Sequence, residues 1–191
     1  RNMTRRNTYT IMRHGEATHL TEGVMSSHVE YAEKHGLTDA GKKQVVENTE
    51  KLIAENLIPT IIYYSPLRRT RETAEIMCDT IEKKTGNKIP CVADVRLHEE
   101  DFGDLDGHSK DEHDTYRTTP YEYIHKQFPH GESYADMRMR MGEFLYSLDA
   151  EKKGEHIVLI THEGCVYAAE DIVSGMSLSR IVETHADIVQ I

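Results

Sequence analysis

Two histidines and several arginines follow directly on short apolar runs in this chain, and their types and placement set the chemistry open to it. Arg13-His14-Gly15-Glu16 follows one run, Ser65-Pro66-Leu67-Arg68-Arg69-Thr70-Arg71-Glu72-Thr73 a second, and Thr161-His162-Glu163-Gly164 a third. In sheets covered by helices on both faces, ligands collect beyond the carboxyl ends of strands. Three strand ends would therefore deliver both histidines and several arginines to one rim. That mixture makes a poor metal site, because guanidinium groups repel cations. It suits a phosphate dianion, which arginine grips through paired, charge-assisted hydrogen bonds. A neutral imidazole can attack phosphorus to give a phosphohistidine, which splits one hard step into two easier ones. Such a transfer needs positioning and charge stabilisation on the equatorial oxygens. It also needs a carboxyl group to protonate the leaving oxygen and later activate water.

The elements that must hold these residues can be read from periodicity and punctuation. Residues 8–12 form a short apolar run that stops at Arg13. Leu37-Thr38-Asp39 predicts a helix start with Thr38 as N-cap, and Val45, Leu52, Ile53 and Leu57 follow at helical spacing. Pro59 ends that helix, and residues 60–64 predict a second strand. Ser65-Pro66 opens another helix, with Pro66 in the tolerated first turn, the stripe Ala74, Met77, Cys78 and Ile81, and Gly86 as its close. Residues 89–92 predict a third strand. Residues 95–132, rich in His, Asp and Tyr, are expected to be irregular. Ser133 with Asp136 resembles a capping box before Met137, Met141, Leu145 and Leu148. Residues 157–161 predict a buried strand, residues 164–173 a helix, and residues 187–191 a last strand. Strands spaced by helices imply an α/β fold, a three-layer α/β/α sandwich with a mostly parallel central sheet. With no repeat or linker, residues 1–191 read as a single domain, and 104–132 as a substrate-facing insertion in it.

Bulk properties exclude several classes. A chain of 191 residues with 38% hydrophobic and 29% charged composition is long enough for one substantial core and shows no sign of wholesale disorder. No apolar run approaches membrane-spanning length, so no membrane partner is expected. The formal net charge of −10 repels polyanions, which makes nucleic acid a poor partner. The basic N-terminus is followed by no apolar h-region, so no secretory signal is expected. Cys78, Cys91 and Cys165 lack any Cys-x-x-Cys spacing and read as reduced core residues of a cytoplasmic protein. The chain starts without methionine and stops inside a strand-like run, as expected of a piece trimmed from a longer polypeptide.

Five ordered motifs carry a resemblance. Arg13-His14-Gly15-Glu16 resembles the Arg-His-Gly signature of the histidine phosphatase superfamily, the phosphoglycerate mutase-like family. Gly36-Leu37-Thr38-Asp39-Ala40-Gly41 resembles its Leu-Thr/Ser-x-x-Gly helix start, and Ser65 to Ala74 its Ser-Pro-Leu-x-Arg-x-x-x-Thr-Ala segment. Leu97-His98-Glu99-Glu100-Asp101-Phe102-Gly103-Asp104-Leu105-Asp106-Gly107 resembles Leu-x-Glu-x-x-Phe-Gly-x-x-Glu-Gly, and Thr161-His162 the late Thr/Ser/Ala-His-Gly motif. The resemblance implies that His14 is the phosphorylated nucleophile and that Arg13 and Arg69 bind the phosphoryl oxygens. It likewise implies that His162 donates a hydrogen bond to that group and that Glu99 is the proton donor, with Glu100 its competitor. Gly15, Thr18 and the backbone of Glu163 complete the expected phosphate and substrate contacts.

This chain departs from the pattern at three points. Ala17 stands where relatives have Ser or Thr, and Leu20, beside His19, where an Asn is common. Glu163 replaces a glycine and is expected to turn its side chain away from phosphate. Elsewhere blander readings hold. Arg68 and Arg71 read as solvated or paired with Glu72 or Glu75, and Met137, Met139 and Met141 as helix core and border. His108, His113, His125 and His130 lack zinc spacing and read as solvated or capping. Together with Tyr116, Tyr121 and Tyr123 they suggest a substrate-facing lid.

The implied activity is metal-free and cofactor-free hydrolysis of small phosphomonoesters. Phosphoglycerate mutase-type transfer is the nearest alternative, although residues 108–160 leave little room for that branch's longer insertions. A phosphoprotein phosphatase and a non-catalytic phospho-ligand-binding regulatory module are the others. Both a monomer and a homodimer fit the sequence.

Overall fold

The first strand, β1 (Thr8–Arg13), is buried along Tyr9, Thr10, Ile11 and Met12, as befits a strand covered on both faces. The computed structural model describes residues 7–174 and 188–190. Two ends of the expected last strand, Asp187 and Ile191, lie outside the described residues. Two short helices follow β1, α1 (Thr18–Glu22) and α2 (Val29–Ala32). Helix α3 (Asp39–Ala54) starts where Thr38 accepts a hydrogen bond from the Gly41 amide at 3.0 Å. Strand β2 (Ile61–Tyr64) leads to α4 (Arg68–Thr85), which Gly86 closes in the left-handed conformation.

Helix α4 begins later than its sequence suggests, with Leu67 as N-cap. Ser65 is still bound to the sheet, its amide donating to the Ile160 carbonyl at 3.0 Å, so Ser65 and Pro66 form the turn. Strand β3 is Cys91–Ala93 rather than 89–92. Proline has no N–H to give to a ladder, and Pro90 contributes only its carbonyl, to Ile62. Residues 95–132 are less irregular than expected. They hold two 3₁₀ turns, Val95–Leu97 and Gly103–Leu105, and the helices α5 (Lys110–Tyr116) and α6 (Pro120–His125). Helix α7 (Tyr134–Glu151) opens on the Ser133–Asp136 capping box, β4 spans His156–Thr161, α8 Glu163–Ser174 and β5 Ile188–Gln190.

The sheet order is β3-β2-β4-β1-β5, parallel throughout except for β5, which runs against β1. Alternate strand residues feed two cores. Tyr9, Ile11, Ile157 and Leu159 meet Met137, Met141 and Phe144 of α7 and Val166 of α8. Met12, Val158, Ile160 and Ile62 meet Val45 and Leu52 of α3 and Ala74, Met77 and Ile81 of α4. The fold is thus a three-layer α/β/α sandwich with a mostly parallel sheet. Met137 and Met141 are fully buried and Met139 is exposed, which is the core-and-border reading of that cluster.

The cysteine reading needs correction. Cys78 of α4 and Cys91 of β3 are joined in a disulfide, and only Cys165 is free and buried. Their separation matches no common motif, and only the packing of α4 beside β3 brings them together. Among the described residues no helix is long and apolar enough to cross a membrane.

Candidate active site

His14 sits at the carboxyl end of β1, where its amide continues the ladder to the Thr161 carbonyl at 3.1 Å. Its Nδ1 lies 2.7 Å from the Gly15 carbonyl. A carbonyl only accepts, so Nδ1 carries the proton and Nε2 keeps its lone pair. Burial, then the charges of Arg69 and Arg13, hold the His14 pKa well below the ordinary imidazole range. The ring is therefore neutral at physiological pH, which is the form a nucleophile requires. Gly15 fixes the approach of this turn to α3, because a Cβ there would stand 2.6 Å from the Gly41 carbonyl oxygen and 2.9 Å from Val45 Cγ2.

Arg69, on the first turn of α4, is fully buried. Its Nε donates to His14 Nε2 at 3.1 Å, and its Nη2 donates to the Ser26 carbonyl at 2.7 Å and meets His162 Nδ1 at 3.2 Å. Burial lowers its pKa to about 10, so it keeps its charge. His162, at the end of β4, is also fully buried; with Nδ1 accepting from Arg69, its Nε2 faces Ser65 Oγ at 2.9 Å as donor. Burial, followed by the charges of Arg69 and His14, pushes its pKa well down.

The two adjacent glutamates separate. Glu99 places Oε2 3.6 Å from His162 Nδ1 and 3.9 Å from Arg69 Nη2. Burial raises its pKa against the opposing pull of Arg69. Glu100 lines the same cavity as Glu99 but is held in a buried ion pair with Arg117 at 2.8 Å, and burial lifts its pKa to about 7. Glu99 is the carboxyl group brought to His162 and Arg69.

Arg13 and Glu163 face each other, with Nη1 to Oε1 at 3.6 Å, and Tyr167 donates to the same carboxylate oxygen at 3.1 Å. The expectation that Glu163 turns away is therefore wrong. It is the first residue of α8, where a carboxylate is favoured by the helix dipole, and Tyr167 lies one turn on to hold it. Thr18 is not brought to His14; its hydroxyl contacts His35 Nδ1 at 3.3 Å. Arg68 pairs with Glu72 at 2.7 Å and Arg71 with Glu33 at 3.1 Å, both away from the site.

A cavity of about 410 Å³ opens beside this cluster, lined by Arg13, Glu99 and Glu163 and by two residues that motif reasoning left without a role, His19 and Ser26. Its outer wall comes from the 95–132 segment, through Lys110, His113, Asp114, Arg117 and Tyr123, with Phe102 and Phe128. His113 is buried between Phe102 and Phe128 rather than solvated, and its Nε2 meets the Leu105 carbonyl at 2.9 Å. Tyr116 stacks on Phe128, while Tyr121 stays exposed. Buried polar atoms normally have partners, yet Arg13 Nε, Arg69 Nη1, His19 Nδ1 and Ser26 Oγ have none. An anion with several acceptor oxygens is the chemistry that would satisfy such donors. Among the described residues no three His, Cys, Asp or Glu side chains converge as a metal cluster would require.

The sequence profile of the histidine phosphatase superfamily (branch 1) matches residues 9–191. The chain is 28% identical over 186 residues to phosphoglycerate mutase-like protein 4 of Arabidopsis thaliana, covering 93% of this chain and 76% of that protein. It is 36% identical over 107 residues to a 2,3-bisphosphoglycerate-dependent phosphoglycerate mutase of Rhodococcus opacus, a match spanning 54% of this chain but only 38% of the mutase. Among solved structures, Bacillus stearothermophilus YhfR aligns at a TM-score of 0.77 with 25% identity, over 93% of this chain and 85% of that one. The profile match over nearly the whole length, on the fold and strand ends described above, means that this chain belongs to the histidine phosphatase superfamily.

Proposed function

We propose that this protein hydrolyses small phosphomonoesters through a phosphohistidine on His14. The observation that carries the reading is the neutral His14 with an unprotonated Nε2 beside two arginines that each keep a buried, unpartnered N–H. In the first step His14 Nε2 attacks phosphorus and the bond to the leaving oxygen breaks. Arg69 Nε gives up its hydrogen bond to that nitrogen and turns to a phosphoryl oxygen beside Arg13. Glu99, whose protonated form burial favours, gives its proton to the leaving oxygen. In the second step the Glu99 carboxylate takes a proton from water as the water oxygen attacks phosphorus. The N–P bond breaks, inorganic phosphate leaves and Glu99 is again protonated. No metal or cofactor enters this scheme.

The Rhodococcus match favours mutase-type transfer as the second reading. A mutase must hold a substrate with an anionic group beyond the transferred phosphate. Here the cations on the cavity wall already face carboxylates, Lys110 with Asp114 at 2.9 Å, Arg117 with Glu100 at 2.8 Å and Arg13 with Glu163 at 3.6 Å. That arrangement favours hydrolysis of esters with an uncharged alcohol. Incubation with an aryl phosphate should leave an acid-labile phosphate on the protein, absent in His14→Ala, with steady release of inorganic phosphate. Robust mutase turnover without aryl phosphate hydrolysis would reverse the choice. A cytoplasmic setting belongs to the same proposal, although disulfides persist mainly in oxidising compartments. Differential alkylation of the native protein before and after reduction tests it.

A further inference from the structure

We propose that His19 and Ser26 bind the phosphoryl group, adding two neutral hydrogen-bond donors to the two arginines; the inference rests on the phosphohistidine reading above. Both side chains line the cavity that also holds Arg13 and Glu99. His19 is 5% exposed and Ser26 1%, and each keeps a buried polar atom without a partner, His19 Nδ1 and Ser26 Oγ. The His19 ring lies 5.6 Å from that of His14, nearly the separation of the His162 ring at 5.4 Å. A phosphoryl oxygen on His14 and one hydrogen bond of about 3 Å bridge such a gap.

The loop that carries Ser26 is built before any ligand arrives. Its carbonyl accepts from Arg69 Nη2, the Met25 amide donates to the His108 carbonyl at 2.9 Å and Ser27 Oγ binds Asp106 at 3.0 Å. Donors fixed in this way need no reorganisation when charge develops. His19 is held neutral, because burial, then Arg69 and Arg13, push its pKa down to about 2. It can thus donate to an anion without adding a third buried charge beside the arginines. Packing alone explains neither the orphaned atoms nor the placement of both on the cavity wall.

The test uses the full chain with His19→Leu, His19→Gln and Ser26→Ala, read by the inhibition constant of orthovanadate, kcat/KM for p-nitrophenyl phosphate and Tm. His19→Leu should weaken vanadate binding and lower kcat/KM by about tenfold to a hundredfold while keeping Tm. Ser26→Ala should lose about threefold to tenfold, and His19→Gln, which keeps an N–H, should recover most of the loss. Wild-type vanadate affinity and turnover in His19→Leu would overturn the inference. So would equal losses in the Leu and Gln variants with a matching drop in Tm, which would mark a packing role. A wild-type protein that binds vanadate through His19 but hydrolyses no aryl phosphate would instead sink the hydrolase reading and leave the cradle standing.

Discussion

At the scale of single residues, the proposed mechanism asks the site to favour a neutral nucleophile and a protonated acid in one buried place. The same burial does both, lowering the His14 pKa and raising that of Glu99. The pH dependence follows in sign. On the proposed mechanism His14 acts above its lowered pKa and Glu99 below its raised one, so kcat/KM should hold on the acid side well past the ordinary imidazole range. It should fall as pH rises through the raised pKa of Glu99. A Glu99→Gln variant should lose most turnover and flatten that alkaline limb, whereas Glu100→Gln should leave its midpoint in place. A pH–rate profile showing the limb intact in Glu99→Gln would assign the acid elsewhere. Glu163, facing Arg13, should repel a carboxylate carried by the substrate. Glu163→Gln should raise kcat/KM for 3-phosphoglycerate relative to p-nitrophenyl phosphate by about tenfold, and parallel changes for the two substrates would refute that role. His14, Arg69 and His162 were legible because each follows a strand in a recognisable motif. The inward turn of Glu163 was not, because it depends on Tyr167 one helical turn later. Neither was the contact of the Thr18 hydroxyl with His35, which depends on how the chain returns after α2 to the start of α1.

At the scale of elements, β1 and α3 meet through two glycines. A Cβ on Gly41 would stand 2.0 Å from the Glu16 carbonyl oxygen, and one on Gly15 2.6 Å from that of Gly41. Backbone meets backbone here, so no side-chain rotation can relieve the contact. Gly15→Ala should cost about 1–3 kcal/mol, read as a Tm several degrees lower, and should lower kcat by displacing His14. A variant with unchanged Tm and kcat would show that the two elements can part without harm. Strand and helix order was readable from period and capping, as Thr38 and the Ser133–Asp136 box illustrate. The helices α5 and α6 were missed although their signals are present. Ser109 with Glu112 makes a full capping box, and Thr119 caps a helix with Pro120 in its first turn. Both helices are too short for an apolar period to stand out among the surrounding His, Asp and Tyr residues. The Cys78–Cys91 bridge was hidden for another reason, since it is set by how α4 lies against β3.

At the scale of the molecule, the proposed chemistry lies at the sheet's carboxyl rim, and residues of a separate segment, 104–132, line the cavity beside it. Arg13, His14 and His162 stand at or next to the ends of the central strands. Lys110, Asp114, Tyr123 and Phe128 come from residues 104–132 and line the cavity. Replacing the largely exposed Lys110 and Asp114 with alanine should change relative kcat/KM across a panel of phosphorylated metabolites while leaving His14 labelling intact. Loss of the acid-labile phosphate in that variant would show that the segment shapes the reacting centre itself.

The strand order has a consequence for how the protein comes into being. β1 lies between β4 and β5, both supplied from near the far end of the chain. The strand that leads into His14 is thus made well before the strands it pairs with. Contacts so distant in sequence are slow to form and leave an apolar strand uncovered meanwhile. A nascent chain that has not yet reached β4 therefore holds His14 with neither the Thr161 carbonyl nor His162 beside it, and the arrangement proposed for phosphoryl acceptance forms only once β4 has been made.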